Sequence, residues 1–404
     1  MRKLVLAAAV ATLVGCGAAS TRHGGSGASG GTGGGGSGGT GGSGGAGGNT
    51  GAPCTQTDPN KDSDGDGYTP SMGDCNDCDP HINPGAINIP GDPTMYDCGV
   101  GNNAACDSTA TGKNDPTSIA QSIELCDQRF FKSAMTAGPS DMRARNVLGK
   151  FGVLMPRQGA NFTLLSSGVA VDEMGMSYVN PQQGTDLGND GTNPLPNLVG
   201  ASNCGQADQT NVHDYTEIVM QLHAPTNVQS FSFDFQFFSG EYPVYVCSSY
   251  NDEFLAIVKS STTYTTDTNI SFDMNKNPIT VNSGFFSVCD NVPGKAGTMH
   301  CTHPPTDNNG TGYETASIGM PAPGGSTGWL TTQAPIQPGE DITLRFVIFD
   351  EGDHILDSAV LIDNFKWGAA SVSGPSTNPI GYKILKHHRA QEPALMCLSP
   401  DAHT

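Results

Sequence analysis

The sequence predicts a mainly β protein: a jelly-roll-like β-sandwich with one preceding helix, after a small Cys-rich calcium-loop segment and a disordered Gly-rich tether. The first observation is a period-two alternation of apolar and polar residues, which is typical of half-buried strands. The second is that Gly, Pro and Asn separate these runs. The third is that no helical patterns alternate with them, as a parallel α/β sheet would require. The predicted strands are 216–222, 231–237, 254–258, 342–348 and 359–367.

One amphipathic helix is predicted before the strands, over residues 116–135. Asp115 can cap its first turn, and Pro116 is favoured at the first helical position. Apolar or small side chains then recur at helical spacing at Ile119, Ile123, Cys126, Phe130 and Ala134.

The first residues are typical of a bacterial lipoprotein signal. Two basic residues precede an apolar run over 4–14, which is too short to span a bilayer, where a helix needs about 20 residues. The sequence Leu-Val-Gly-Cys at 13–16 resembles a lipobox, so residues 1–15 are predicted to be a signal peptide; a plain secretory signal is the alternative. The resemblance implies that Cys16 carries lipid and anchors the chain to a membrane. Gly17 stands where the family's inner-membrane retention signal has Asp, so we expect the outer membrane or the cell surface.

Residues 16–53 are predicted to be the lipidated Cys and a flexible linker. From 24 to 51 the chain consists almost entirely of Gly, Ser, Thr, Ala and Asn, and such a composition buries too little apolar surface to offset the entropy of ordering. A Gly-rich coil of this length has a mean reach on the order of 30 Å. We therefore expect the folded part to swivel clear of the lipid surface.

Composition limits the partners and the compartment. The formal net charge of −20 argues against nucleic acid as a partner. The chain has twelve cysteines, and eleven remain when Cys16 is set aside. Outside the cytoplasm this number indicates disulfides with one thiol left over.

The segment 54–106 is rich in Asp and Cys and has almost no aliphatic side chains, so we expect it to fold around ions and cross-links. Short acidic side chains at alternate positions of a Gly-bent loop converge on one point, and calcium prefers such oxygen ligands. An EF-hand is disfavoured because Gly73 stands at the twelfth loop position, where a bidentate Glu is needed. The predicted metal ligands are Asp62, Asp64, Asp66, Tyr68, Asp74, Asp77 and Asp79.

The acidic runs at 62–68 and 74–80, followed by Asn-Pro-Gly-Ala at 83–86, resemble the MopE-type metal-binding motif. This resemblance implies a structural calcium module and a disulfide between Cys75 and Cys98. A redox or zinc function for Cys75 and Cys78 is the alternative. The strand-to-helix setting and the second ligand pair that these functions need are missing.

The large domain resembles the choice-of-anchor L domain of bacterial surface proteins. The residues that carry the resemblance are 231–243, 250–254, 326–330, 338–340 and 345–364. The resemblance covers roughly 145–368 and implies display at the cell surface, with no defined ligand. We therefore predict a sandwich domain at 115–370 and a C-terminal extension at 371–404.

Acidic residues at strand ends and in one loop of this domain predict a second candidate calcium site. One alternative is that these residues cap turns by accepting hydrogen bonds from backbone amides. Another is that Glu241 and Asp350 form a glycosidase pair, which depends on their separation. The candidate ligands are Glu241, Asp252, Asp350, Asp353, Asp357 and Asp363.

The run His300-Cys301-Thr302-His303 suits a transition metal, since imidazole and thiolate ligands favour copper or zinc. The alternative is a disulfide between Cys289 and Cys301 that closes the loop.

We expect a non-enzymatic surface lipoprotein whose calcium-stabilised sandwich serves adhesion or binds glycan, matrix or another cell. No G-x-S-x-G, H-E-x-x-H or P-loop motif occurs. An exposed aromatic row, for which Tyr242, Tyr245 and Tyr250 are candidates, would favour glycan binding. The alternatives are a secreted carbohydrate-active hydrolase and a purely structural envelope protein.

Overall fold

The computed structural model describes the chain from residue 54 to residue 380 with gaps. The described residues are 54, 58–101, 111–138, 142–198, 210–314 and 323–380. The predicted signal peptide, Cys16, the tether and the chain beyond 380 lie outside them. Among the described residues, no helix is both long and apolar enough to cross a membrane.

The described residues form a mainly β fold with one short α-helix. The helix is α1 (Pro116–Gln121), and 3₁₀ turns occur at Pro70–Met72, Met142–Ala144 and Pro305–Asn308. The strands are β1 (Phe131–Ala137), β2 (Arg145–Leu148), β3 (Phe162–Ser166), β4 (Gly191–Thr192), β5 (Asn211–His223), β6 (Ser230–Ser239), β7 (Glu253–Ser260), β8 (Thr268–Asn269), β9 (Ile279–Thr280), β10 (Val288–Cys289), β11 (Pro293–Gly294), β12 (Gly297–Thr298), β13 (Gly325–Ser326), β14 (Leu330–Pro335), β15 (Asp341–Asp350), β16 (Ser358–Gly368) and β17 (Ser376–Pro379).

Two antiparallel sheets carry the fold. The first has the strand order β1-β5-β15-β7-β8, with β4 beside β5 and β9 beside β7. The second has the order β10-β13-β6-β16-β3-β2, and β14 pairs with both β6 and β17. The five predicted strands correspond to β5, β6, β7, β15 and β16, so the mainly β, sandwich-like prediction is confirmed.

Aromatic side chains of the long strands form the core. Phe233 of β6 meets Phe346 of β15 edge to face, with ring centroids 4.8 Å apart. Phe235 contacts Phe254 of β7 at 5.0 Å. Alternate side chains of a strand point to one face of the sheet, so the Phe run of β6 places its rings against the other sheet.

The outer face of each sheet is also covered. Beyond the second sheet, Phe151 packs edge to face on Phe238, with Tyr313 beside it. Beyond the first, Tyr215 stacks on Phe349. Strands covered on both faces lose simple alternation, which explains why all five residues of β3 are buried.

The predicted helix over 116–135 is wrong in length. Asp115 does cap the helix, because its carboxylate accepts the Ser118 N–H at 3.0 Å. The helix ends at Gln121, and Glu124 has a φ of 69°, which a right-handed helix cannot contain. The apolar spacing arose because a turn and then strand β1 bury successive apolar residues against the same core.

The predicted boundary at residue 370 falls short of the sheet. Strand β17 pairs with β14, and Thr377 lies opposite Thr332 with their hydroxyls hydrogen-bonded at 2.8 Å. At least the first ten residues of the predicted extension therefore belong to the folded domain.

Disulfides hold the loop-rich parts. Cys75 pairs with Cys98, as the resemblance implied, and Cys78 pairs with Cys54. The redox or zinc interpretation of Cys75 and Cys78 is therefore wrong, because neither thiol is free. Cys126 and Cys247 are also disulfide-bonded.

Glu340 ties the turn before β15 to the loop after β7. Its carboxylate accepts the backbone N–H groups of Thr263 and Gln337, each at 2.8 Å, and the side chain is buried. Burial acts to raise the pKa of Glu340, but hydrogen bonds from these residues and Ser260 outweigh it and hold the pKa below its usual value.

We predict that Glu340→Gln lowers the free energy of unfolding by about 1–3 kcal/mol, since an amide cannot accept all of these donors. In the wild type this contribution should be lost as pH falls below the usual Glu pKa of 4.5. Urea unfolding at several pH values measures both effects. The control is Asp341→Asn at the exposed neighbour, which should cost less than about 1 kcal/mol; equal losses would contradict this role for Glu340.

Candidate metal centres and a ligand cavity

The loop at 62–77 brings its carboxylates to metal-ligand spacing. Ligand atoms of Asp62, Asp64 and Asp66 lie within 4.8 Å of one another, and so do those of Asp64, Asp74 and Asp77. The two groups share Asp64. Calcium–oxygen distances of 2.3–2.6 Å require ligand separations of this size.

Two glycines let the chain wrap around this centre. Gly65 and Gly67 have φ values of 85° and 92°, which L-residues rarely adopt. Their N–H groups donate to the two carboxylate oxygens of Asp62, at 2.6 and 3.0 Å. Asp62 is thereby oriented, and these backbone hydrogen bonds lower its pKa.

Each of four other loop carboxylates has one oxygen without a hydrogen-bond partner. The Oδ2 atoms of Asp64, Asp66, Asp74 and Asp77 are buried and accept no hydrogen bond from the described residues. Burial, and then the neighbouring charge of Asp66, raise the pKa of Asp64 to about 6. A cation between these oxygens would replace the missing donors, and the all-oxygen set fits calcium.

Two further predicted ligands, Tyr68 and Asp79, are not members of these two carboxylate groups. Asp79 accepts hydrogen bonds from the backbone and ring of His81, each at 3.1 Å. The ring of Tyr68 covers Gly85 so closely that a side chain there would clash with it. The Tyr68 N–H donates to Asp66 at 2.8 Å, so Tyr68 orients a ligand through its backbone.

The loop segment is joined to the sandwich through Asn83. This fully buried side chain hydrogen-bonds to Asp66 of the loop and accepts from the Thr226 hydroxyl at 2.7 Å. Next to it, Asn227 makes two hydrogen bonds with the backbone of Ile87, at 2.8 and 3.0 Å. The described residues from 54 to 380 accordingly belong to one compact unit.

Four of the six carboxylates predicted as a second metal site meet at one end of the sandwich. Glu241 follows β6, Asp252 precedes β7, Asp350 ends β15 and Asp357 precedes β16, and each is at most 2% exposed. Asp214 of β5, which the sequence analysis did not single out, is buried beside them.

Few hydrogen bonds satisfy this end cluster. Asp252 accepts from the Ser358 hydroxyl at 2.5 Å, and Asp357 from the Thr185 N–H at 2.9 Å. Both oxygens of Asp350 and one oxygen of Glu241 accept no hydrogen bond from the described residues. Burial and then the charge of Asp252 hold the pKa of both groups well above the usual range.

The spacing of the end cluster differs from that of the loop. Within the described part of the chain, no three of its carboxylates bring ligand atoms within 4.8 Å of one another. Its assignment as a calcium site therefore stays a prediction. The pair Glu241 and Asp350, predicted as the glycosidase alternative, is enclosed in this cluster.

The other two predicted ligands differ in their relation to the end cluster. Asp353 is half-buried and accepts the Ile355 N–H at 3.0 Å, and it lies close enough for its charge to act on Glu241 and Asp252. Asp363 lies five residues into β16 from Ser358, about 16 Å along the strand. It accepts the N–H groups of Arg157, Gln158 and Asn364, which matches the backbone-capping alternative for this residue.

A third group with metal-ligand spacing lies near the same end. Ligand atoms of Asp190, His213 and His354 are within 4.8 Å of one another. The His213 Nδ1 is hydrogen-bonded to the Asp190 carboxylate at 3.0 Å. Imidazole and carboxylate ligands suit zinc or copper. The residues come from three distant parts of the sequence, so spacing could not reveal them.

The predicted transition-metal run at 300–303 does not have a free thiol. Cys301 is bonded to Cys289, which confirms the disulfide alternative.

The three tyrosines that were candidates for an exposed aromatic row do not form one. Tyr242 is buried and stacks on Phe286, while Tyr245 and Tyr250 pack edge to face under Lys295.

A cavity of about 620 Å³ opens beside the outer face of the second sheet. Its walls combine apolar and aromatic side chains with a few polar groups, which is the usual composition of a ligand site. The residues that matter below are Arg157, Gln236, Phe285, His303 and Trp329.

Comparison with known families identifies the family of this domain. The family model of the choice-of-anchor L domain matches residues 124–366, more than half of the chain. The chain therefore belongs to the choice-of-anchor L domain family, and its match begins earlier than the sequence resemblance indicated. Such a domain implies a cell-surface or extracellular protein. No curated protein matches the chain.

We predict that metal-free protein becomes less stable as pH rises from about 4 to 7. Burial raises the pKa of Asp252 to about 7 and that of Asp214 to about 6. The native state therefore holds protons that the unfolded state releases above its usual Asp pKa of 3.8. Melting temperatures measured in chelator across this range test the prediction.

The matched variants are Asp252→Asn and Asp341→Asn. The first replaces a buried carboxyl and should flatten the decline. The second replaces an exposed carboxyl away from the end cluster and should leave the decline unchanged. An unchanged slope in Asp252→Asn would contradict the predicted origin of the decline.

Proposed function

We propose that this chain is a cell-surface lipoprotein, anchored through Cys16, that displays a calcium-stabilised β-sandwich for adhesion to a glycan, matrix or cell-surface partner. The proposal rests on one observation above all: the loop carboxylates converge on Asp64 in two groups with metal-ligand spacing. Membership in the choice-of-anchor L family supports the location.

The loop is attached in a way that lets calcium act on the whole domain. Asn83 connects a loop carboxylate to the sandwich residue Thr226. An ion that binds the native loop and not the unfolded chain stabilises the native state by mass action. Extracellular calcium modules bind with dissociation constants of about 10⁻⁴–10⁻³ M, and we expect this range here.

Calorimetric titration of the purified protein with calcium tests the metal centre. We predict that Asp64→Asn combined with Asp66→Asn abolishes binding at the loop, because both residues supply unpartnered oxygens. The companion variant, Asp353→Asn with Asp357→Asn, should keep it. Loss only in the companion variant would assign calcium to the sandwich, and no binding in the wild type would contradict the calcium proposal.

Adhesion is tested separately. Bead-bound protein should attach to cells or matrix in calcium and detach in chelator, and the double loop variant should attach weakly in both. Equal attachment of the wild type with and without calcium would contradict a calcium-dependent mechanism.

A further inference from the structure

The cavity lies beside the outer face of the second sheet. Gln236 belongs to β6 and alternates with the core phenylalanines, so its side chain lies on the outer face of the second sheet. Loops that contain Phe285, His303 and Trp329 complete the walls. None of the metal-centre carboxylates lines it.

Gln236 lines the cavity and carries an unpartnered acceptor, and the orientation of its amide follows from its neighbours. The Asn308 amide donates to the Tyr313 carbonyl, so the Asn308 oxygen must face Ser326. Ser326 donates its single hydroxyl proton to that oxygen at 2.9 Å.

Ser326 can therefore only accept from Gln236, which places the Gln236 Nε2 at that contact, 2.9 Å away. The other amide atom, Oε1, is then fixed as an acceptor. It is buried and receives no hydrogen bond from the described residues, although the side chain is 2% exposed.

Another part of the cavity wall is aromatic. Trp329 is half-buried, and the Arg157 guanidinium lies 5.9 Å from its ring. The Arg157 Nε is held by Asp234 at 3.2 Å, which fixes the side chain. The guanidinium carries further donors beyond Nε.

This combination selects the ligand chemistry. An apolar side chain would bury Oε1 without a donor, which is unfavourable. A fully charged ligand would be poorly matched to a mostly aromatic and aliphatic wall. A sugar ring presents C–H groups on its faces and hydroxyl donors at its edge, so it satisfies both an aromatic surface and an isolated acceptor.

We propose that the cavity lined by Trp329, Arg157 and Gln236 binds a saccharide, with a ring against Trp329 and a hydroxyl donating to the Gln236 Oε1. The inference rests on the proposed function, because it names the ligand class and site of the adhesive domain. It depends neither on lipid anchoring nor on the location of calcium.

Intrinsic fluorescence offers a direct readout, since the chain has two tryptophans. In a Trp367→Phe background Trp329 is the remaining emitter. The full chain in calcium is titrated with glucose, galactose, N-acetylglucosamine, cellobiose and diacetylchitobiose, and with N-acetyl-leucine amide as the apolar probe. We expect at least one sugar to change the emission saturably and the apolar probe to have no effect.

Two matched variants locate the contact. Gln236→Met has similar length but no acceptor, and should weaken sugar binding at least tenfold. Gln333→Met makes the same exchange on β14, outside the cavity lining, and should bind within about threefold of the parent. Circular dichroism checks that both variants fold. Calorimetry of Trp329→Ala, which should lose binding, gives a measurement independent of fluorescence.

The remaining outcomes overturn the proposal in distinguishable ways. Sugar binding that survives both Gln236→Met and Trp329→Ala would place the site elsewhere and leave the adhesive function standing. Binding of the apolar probe alone would overturn the saccharide class. No response to any probe, in protein that still adheres to cells in calcium, would overturn the cavity assignment without touching the proposed function.

Discussion

Carboxylates held close together without enough donors are the constraint on which the rest of the structure depends. In the loop, four buried oxygens lack hydrogen bonds from described residues, and at the sandwich end Asp350 and Glu241 do as well. An uncompensated buried charge costs several kcal/mol. Protons can neutralise these groups, and a cation would do so in the proposed calcium centre; we therefore expect the stability of the native structure to depend on pH.

The loop segment is connected to the sandwich. Asn83 is fully buried and bridges a loop carboxylate and Thr226 of the sandwich, while Ile87 packs against the main core. Two disulfides cross-link the described residues of the segment, and Arg129 and Asn227 of the sandwich also hydrogen-bond to its backbone.

The core of the sandwich, the acidic end cluster and the cavity lie in different parts of the domain. Its sheets are packed on both faces, with Phe233 and Phe346 inside and Phe151 and Tyr215 outside. The acidic end cluster joins strand ends of both sheets, whereas the cavity lies among loops over the outer face of one sheet. Substitutions in the loops that line the cavity can therefore alter the proposed ligand site without replacing a residue of the acidic cluster.

The sequence by itself determined the long strands, the Asp115 cap, the grouping of carboxylates in the loop at 62–77 and the family of the large domain, because each depends on local pattern. It misassigned 131–135 as helix, since helical and turn-plus-strand paths can bury the same spaced residues. Only the tertiary structure added Asp214 to the end cluster and separated Asp363 from it. It also brought Gln236 and Trp329 to one cavity. These groupings arise from strand pairing between residues distant in the chain, and spacing along a sequence carries no record of that pairing.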